Sequence, residues 1–140
     1  MDSRLDGLAP ELAAVLHGAP PTQLWRIVEV ACSLALATAE LNDPRADAAF
    51  TWLRRGGRGD SAERRSLEAL AAELDRSAGA ARPPGGRDGA PGRAFAQARA
   101  ATALWCALGE DPLRAALECL YEANHAGVDL DVLRLVTSTA

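Results

Sequence analysis

From Leu24 to Leu41 nearly every position is apolar or small, and the exceptions, Arg26, Glu29, Ser33 and Glu40, collapse into one narrow strip at about 100° per residue. A helix with so little polar surface belongs in the middle of a fold. Phe95 to Leu108 repeats the pattern, interrupted by Gln97 and Arg99, and is the second candidate for a central helix. The other segments carry one apolar face each. Ala46, Ala49, Phe50 and Leu53 share one side of a helix that runs to about Arg55. Leu67, Leu70, Ala71 and Leu74 form an inward stripe, with Arg64 and Glu68 paired on the outer side, and Leu113, Ala116, Leu117 and Leu120 form another. No stretch alternates with the period of a strand.

The punctuation agrees with this spacing. Pro10 suits the first turn of a short helix ending near His17, where Gly18 stops it. Thr22 opens the first apolar segment. Asp43-Pro44 and Asp111-Pro112 each read as an N-cap with proline at the first helical position. Asp60 with Glu63 makes a capping pattern, and Asp129 caps a last short helix carrying Leu130, Leu133 and Val136. Gly56-Gly57 and Gly127 end helices. Residues 77–93, SAGAARPPGGRDGAPGR, are rich in glycine and proline and read as a mobile loop within one domain, 1–140.

Residues 30–55 laid on 98–123 match at Ala35 with Ala103, Leu36 with Leu104, Ala39 with Ala107, Asp43-Pro44 with Asp111-Pro112 and Ala48 with Ala116. Both copies run apolar helix, Asp-Pro, amphipathic helix. The expectation is an all-α fold, a bundle of about six helices in which two αα-hairpins pack their apolar helices together. Duplication and recurrence of a common capping device both account for the match.

Composition narrows the class. The chain has 140 residues, 49% of them hydrophobic, enough for a core without disulfides or metal, and no run reaches the roughly 18 uncharged apolar residues of a membrane span. All 15 basic residues are Arg against 19 acids, a net charge of −4, which argues against a nucleic-acid module. The three cysteines, Cys32, Cys106 and Cys119, lie far apart among apolar residues, unlike a secreted disulfide framework, and the N-terminus lacks the basic start of a signal peptide. A cytoplasmic bacterial protein is expected.

Several constellations bear on chemistry. Glu122 and His125 have the E-x-x-H spacing of di-iron helices, but a full site needs a second such motif, and His17 has no Glu three residues before it. On the helical wheel Glu118, Glu122 and His125 fall opposite the leucine stripe, so they should face water. The cysteines read as small buried hydrophobes, Asn124 as a polar group satisfying last-turn carbonyls or a nearby loop, and the scattered aromatics as core. No catalytic residue, metal ligand or cofactor is predicted. Two surface patches are candidates for a partner. Glu118, Glu122, Asp129 and Asp131 belong to an acid-rich C-terminal third, with Glu110 and Asp111, that suits a basic protein. Arg54, Arg55, Arg58, Arg64 and Arg65 form the alternative, basic patch, which includes the RGD of Arg58-Gly59-Asp60 in a flexible connector.

The run AELNDPRADAAFTWLRRG, with Asp43, Pro44, Arg45, Ala48, Trp52, Leu53 and Gly56, followed by AFAQARAATALWCAL, resembles Ala-rich, all-helical immunity proteins of bacterial toxin systems over at most half the chain. The resemblance implies a non-enzymatic, toxin-neutralising protein-interaction module and brings no catalytic residues with it. The alternative is a small-molecule-binding or regulatory helical bundle. A drug-sized gap between the central helices would favour the ligand; a filled core beside a charged groove would favour a protein partner, with a second copy of the chain among the partners allowed.

Overall fold

The computed structural model describes residues 3–81 and 90–139. Among them are eight helices and no strand: α1 (Arg4–Leu8), α2 (Pro10–His17), α3 (Pro21–Thr38), α4 (Pro44–Arg54), α5 (Ala62–Ala81), α6 (Ala90–Ala107), α7 (Pro112–His125) and α8 (Leu130–Thr139). The all-α class is as expected; the count exceeds six. Four helices start on proline, whose fixed φ suits the first turn and whose missing N–H would have no partner there. Asp43 Oδ1 accepts from Arg45 N at 2.8 Å and Asp111 Oδ1 from Leu113 N at 3.2 Å, so both Asp-Pro pairs cap as read. At α5 the cap is Ser61, whose Oγ accepts from Arg64 N at 3.0 Å, rather than Asp60. The short helix α1 has no counterpart in the sequence reading. It is closed by a capping box, with Asp6 N donating to Ser3 Oγ at 3.2 Å and Ser3 N to Asp6 Oδ2 at 2.8 Å.

Three helices make the centre. α3, α6 and α7 each pack on the other two; α5 lies along α6, α1 and α2 lie on α7, and α8 bridges α3, α2 and α7. Small side chains let the central helices approach closely: Ala31, Cys32 and Ala35 of α3 and Ala100, Ala103 and Ala107 of α6 are fully buried, and Cys32 Sγ lies 3.9 Å from the Ala103 carbonyl. Leu104, Leu108 and Leu120 are also fully buried there, whereas Leu34 is only half-buried on the rim.

The two expected hairpins are not alike. α6 and α7 form a close antiparallel pair, but α4 makes little contact with α3 and packs instead on α5 and α6. The cause lies in the connection. After α3 the chain turns through Glu40 in the left-handed region (φ 56), with Leu41 N bonded to Leu36 O at 3.0 Å and the Leu41 side chain buried, and this turn directs α4 away. No residue of the 108–111 turn has that conformation, and α7 folds back along α6. The loop expected at 77–93 is helical at both ends, in α5 to Ala81 and in α6 from Ala90; its middle, 82–89, lies outside the described residues.

Candidate functional site

The glycine-rich segment after α4 is not a loose connector. Gly56 and Gly59 adopt φ of 89° and 81°, and Gly59 N donates to the Leu108 carbonyl at 2.6 Å, which seats the turn on the end of α6. The φ of Gly59 is one that L side chains rarely adopt, so glycine is needed there, and a Cβ would also press on the Glu110 side chain. Two arginines fix the segment to the two apolar helices. The Arg58 guanidinium stacks 3.8 Å from the Trp25 ring of α3 and donates to the Leu53 and Gly57 carbonyls; that of Arg64 stacks 3.8 Å from the Trp105 ring of α6 and donates to the Trp105 carbonyl at 3.2 Å.

This docking creates a cleft of about 280 Å³ between the first turn of α5 and the α6–α7 turn. Trp105 with the stacked Arg64 lines it together with Glu110, Asp111, Arg114 and Glu118, and its buried lining residues are Cys106 and Ala115. Arg114 Nε holds Glu118 at 3.3 Å, Asp111 is engaged as the α7 cap, and Glu110 is exposed with no ion-pair or hydrogen-bond partner among the described residues. Burial, with the nearby Cys119 and carboxylates, pushes the Cys106 thiol up to about 12, so it stays protonated at neutral pH.

The acid-rich region divides. Glu118 lines the cleft. Asp129 caps α8 by accepting from Asp131 N at 2.7 Å, and Asp131 is paired with Arg134 at 2.6 Å, which also binds Glu11 of α2. Glu122 is a correction: it is 2% exposed, not solvated, and cannot belong to an acidic surface. Its carboxylate accepts from Arg4 Nη2 and Arg99 Nη1, each at 2.9 Å. Arg4 lies over the Tyr121 ring at 4.3 Å, and Arg99 also binds Asp75 of α5 at 3.0 Å. Burial alone would lower Arg99, but the carboxylates of Glu122 and Asp75 outweigh it and raise its pKa. Helix α7 buries a second stripe, Ala115, Cys119, Glu122 and Ala126, in which Glu122 meets α1 through Arg4 and α6 through Arg99, and Cys119 meets Cys32 of α3. The E-x-x-H pair therefore does not converge: His125 is exposed and bonds its Nδ1 to the Tyr121 carbonyl at 2.9 Å.

No protein-family model matches this chain, and no curated protein or solved structure is significantly similar to it. The site must be read from its own geometry.

The basic patch is dispersed. Arg54 pairs with Glu29 of α3 at 3.3 Å and Arg65 with Asp60 at 2.9 Å, Arg58 and Arg64 are committed to their tryptophans, and Arg55 is exposed with no partner among the described residues. The pairing expected of Arg64 with Glu68 is replaced by the Trp105 stack. Five arginines clustered in sequence thus do not make one cationic surface. Asn124 Nδ2 donates to the Val128 carbonyl at 3.0 Å, holding the turn into α8. Cys32 and Cys119 meet in the core, sulfur to sulfur at 3.6 Å, which their wide spacing in the sequence does not indicate. Among the described residues no helix is long and apolar enough to cross a membrane.

Proposed function

We propose that this chain is a non-enzymatic protein-interaction module of the toxin-neutralising kind, and that it meets its partner at the cleft between α5 and the α6–α7 turn. The observation that carries this reading is the contrast between the packed contact of α3 with α6, where a thiol touches the facing backbone, and the charged cleft beside it. A ligand-binding bundle needs room between its central helices, and here alanines and leucines fill that place. The cleft offers the carboxylate of Glu110, unpaired among the described residues, beside Asp111 and Glu118, so the partner segment that suits it carries arginine or lysine. Rigid walls favour such recognition, because the Arg64–Trp105 stack needs no ordering on binding.

The test is co-expression of the full chain with each protein encoded beside it, followed by co-purification and melting of the isolated complex. A basic neighbour that forms a stoichiometric complex, raises the melting temperature and loses its toxicity to the host supports the proposal. If no neighbour binds and a metabolite panel instead raises the melting temperature, the small-molecule reading takes its place.

A further inference from the structure

Cys32 of α3 and Cys119 of α7 are 87 residues apart in sequence, fully buried and in sulfur–sulfur contact at 3.6 Å. Neither is required by the proposed interaction site. Two buried thiols could act simply as small apolar side chains, but that role does not require them to meet. Cys106, the third thiol, lines the cleft and makes no sulfur contact with either, although Cys119 is near enough to act on its charge. From this juxtaposition we infer that Cys32 and Cys119 form a cross-linking site: in the presence of a small-molecule disulfide they become one disulfide joining α3 to α7, and Cys106 stays free.

The sulfurs need to close by about 1.5 Å to reach bonding distance. The chemistry is two exchange steps. One protein thiolate attacks the reagent disulfide, forms a mixed disulfide and releases the first reagent thiolate. The second protein thiolate attacks the protein sulfur of that mixed disulfide and expels the other reagent thiolate. Two protein thiols are oxidised, one reagent disulfide is reduced to two thiols, and the two thiol protons pass to the departing thiolates.

Burial governs when this happens. The hydrogen bond with Cys32 and loss of solvent raise the Cys119 thiol well above its ordinary value, so the closed bundle reacts slowly. Exchange proceeds while the bundle is open, during folding or rare unfolding. Three thiols allow three pairings, and native packing selects the one whose sulfurs already touch. The link would close a long loop across the two helices that carry much of the core.

Refolding the full chain in a buffer of reduced and oxidised glutathione tests this directly. Cleavage after arginine places the three cysteines in separate peptides, 27–45, 100–114 and 115–134. The expected result is a linked pair of the first and third peptides, a mass loss of about 2 Da for the two thiol hydrogens, and a free thiol in the second. The linked chain should melt higher by on the order of 10 °C than the reduced chain, an increment that disappears on reduction. Cys106→Ala should leave the link intact, and Cys32→Ala should abolish it. A refolded chain with three free thiols overturns the inference, as does one linked through Cys106 or left as stable glutathione adducts. Because the readout is peptide mass on the native sequence, it holds even if a cysteine variant fails to fold.

Discussion

Replacing Glu122 by alanine removes a carboxylate that α7 presents to arginines from two other elements. Its two 2.9 Å bonds are charge-assisted and its residue is 2% exposed, so the full cost of breaking a buried pair, about 3 to 5 kcal/mol, sets the upper limit. Two features reduce it. The Arg4 side chain is 55% exposed and can turn to water, and Arg99 keeps Asp75 as a second partner. The expected loss is therefore about 2 to 3 kcal/mol, most of it from Arg99, whose side chain is only 21% exposed. Arg99→Met alone leaves the buried carboxylate only the exposed Arg4 as partner and should be comparably damaging. Glu122→Leu with Arg99→Met removes both charges and should recover much of the loss, giving a coupling of about 1 to 3 kcal/mol in the double-mutant cycle. Urea unfolding followed by circular dichroism, with unchanged denaturant slopes, measures all three variants. Glu118→Ala is the control on the same helix: half-exposed and held by an exposed Arg114, it should cost about 0 to 1 kcal/mol. If Glu122→Ala unfolds within about 0.5 kcal/mol of the parent and matches Glu118→Ala, the buried network is not a structural element and the assignment of α7's second face is wrong.

Leu104→Ala should cost about 2 to 5 kcal/mol in the same assay, while Leu34→Ala, on the half-buried rim of α3, should cost about 1 kcal/mol; equal losses would contradict the packing described. Gly57→Ala places a Cβ against the Trp52 indole, which must swing outward, so a loss of about 1 to 2 kcal/mol and a shifted tryptophan emission are expected, and an unchanged stability with unchanged emission would refute that contact. Hydrogen bonds from Ser3 lower Asp6, Arg134 lowers Glu11, and Arg45 lowers Asp43 and Glu73, from ordinary values of 3.8 for the aspartates and 4.5 for the glutamates. Their stabilisation is complete above those values and is lost as the pH falls from 4.5 through the lower folded-state values, so the urea midpoint should drop between about pH 5 and pH 3; a constant midpoint would contradict it. Cys106, with its thiol pushed up to about 12, should resist iodoacetamide at neutral pH in the folded chain and react readily in urea, and rapid labelling of the folded protein would show that the cleft bottom is open.

Helix positions were readable because proline, aspartate and glycine mark their ends, and the caps at Asp43 and Asp111 form as local chemistry dictates. The path of the chain between helices was not. A left-handed Glu40 is invisible to pattern, since most sequence cues for that conformation are glycines, and the α6–α7 turn has no such residue. Glu122 was misplaced because its charge outweighed its spacing: Ala115, Cys119, Glu122 and Ala126 recur at helical intervals, and Arg99 interrupting an otherwise apolar helix marks the charge that faces it. The arginine-rich turn misled for the opposite reason. Proximity in sequence suggested a cationic patch, but the partners that divide it, Trp25, Glu29 and Trp105, are tens of residues away and only folding brings them there. The cleft residues Trp105, Glu110 and Arg114 carry no motif; what distinguishes them is a turn docked by Gly59.

The central claim is that the cleft beside α6 receives a basic protein, and the association rate of the partner that co-purifies with the full chain, measured against salt, tests it most directly. Wild-type association should be fast at low salt and slow steeply as salt is added. Reversing Glu110 and Glu118 to Arg should slow it at least tenfold at low salt and flatten the salt dependence, with helical content unchanged, by an estimate of about 1.4 kcal/mol or more in electrostatic steering. Unchanged rates and an unchanged salt slope in that double variant would contradict the claim and remove the cleft as the binding site.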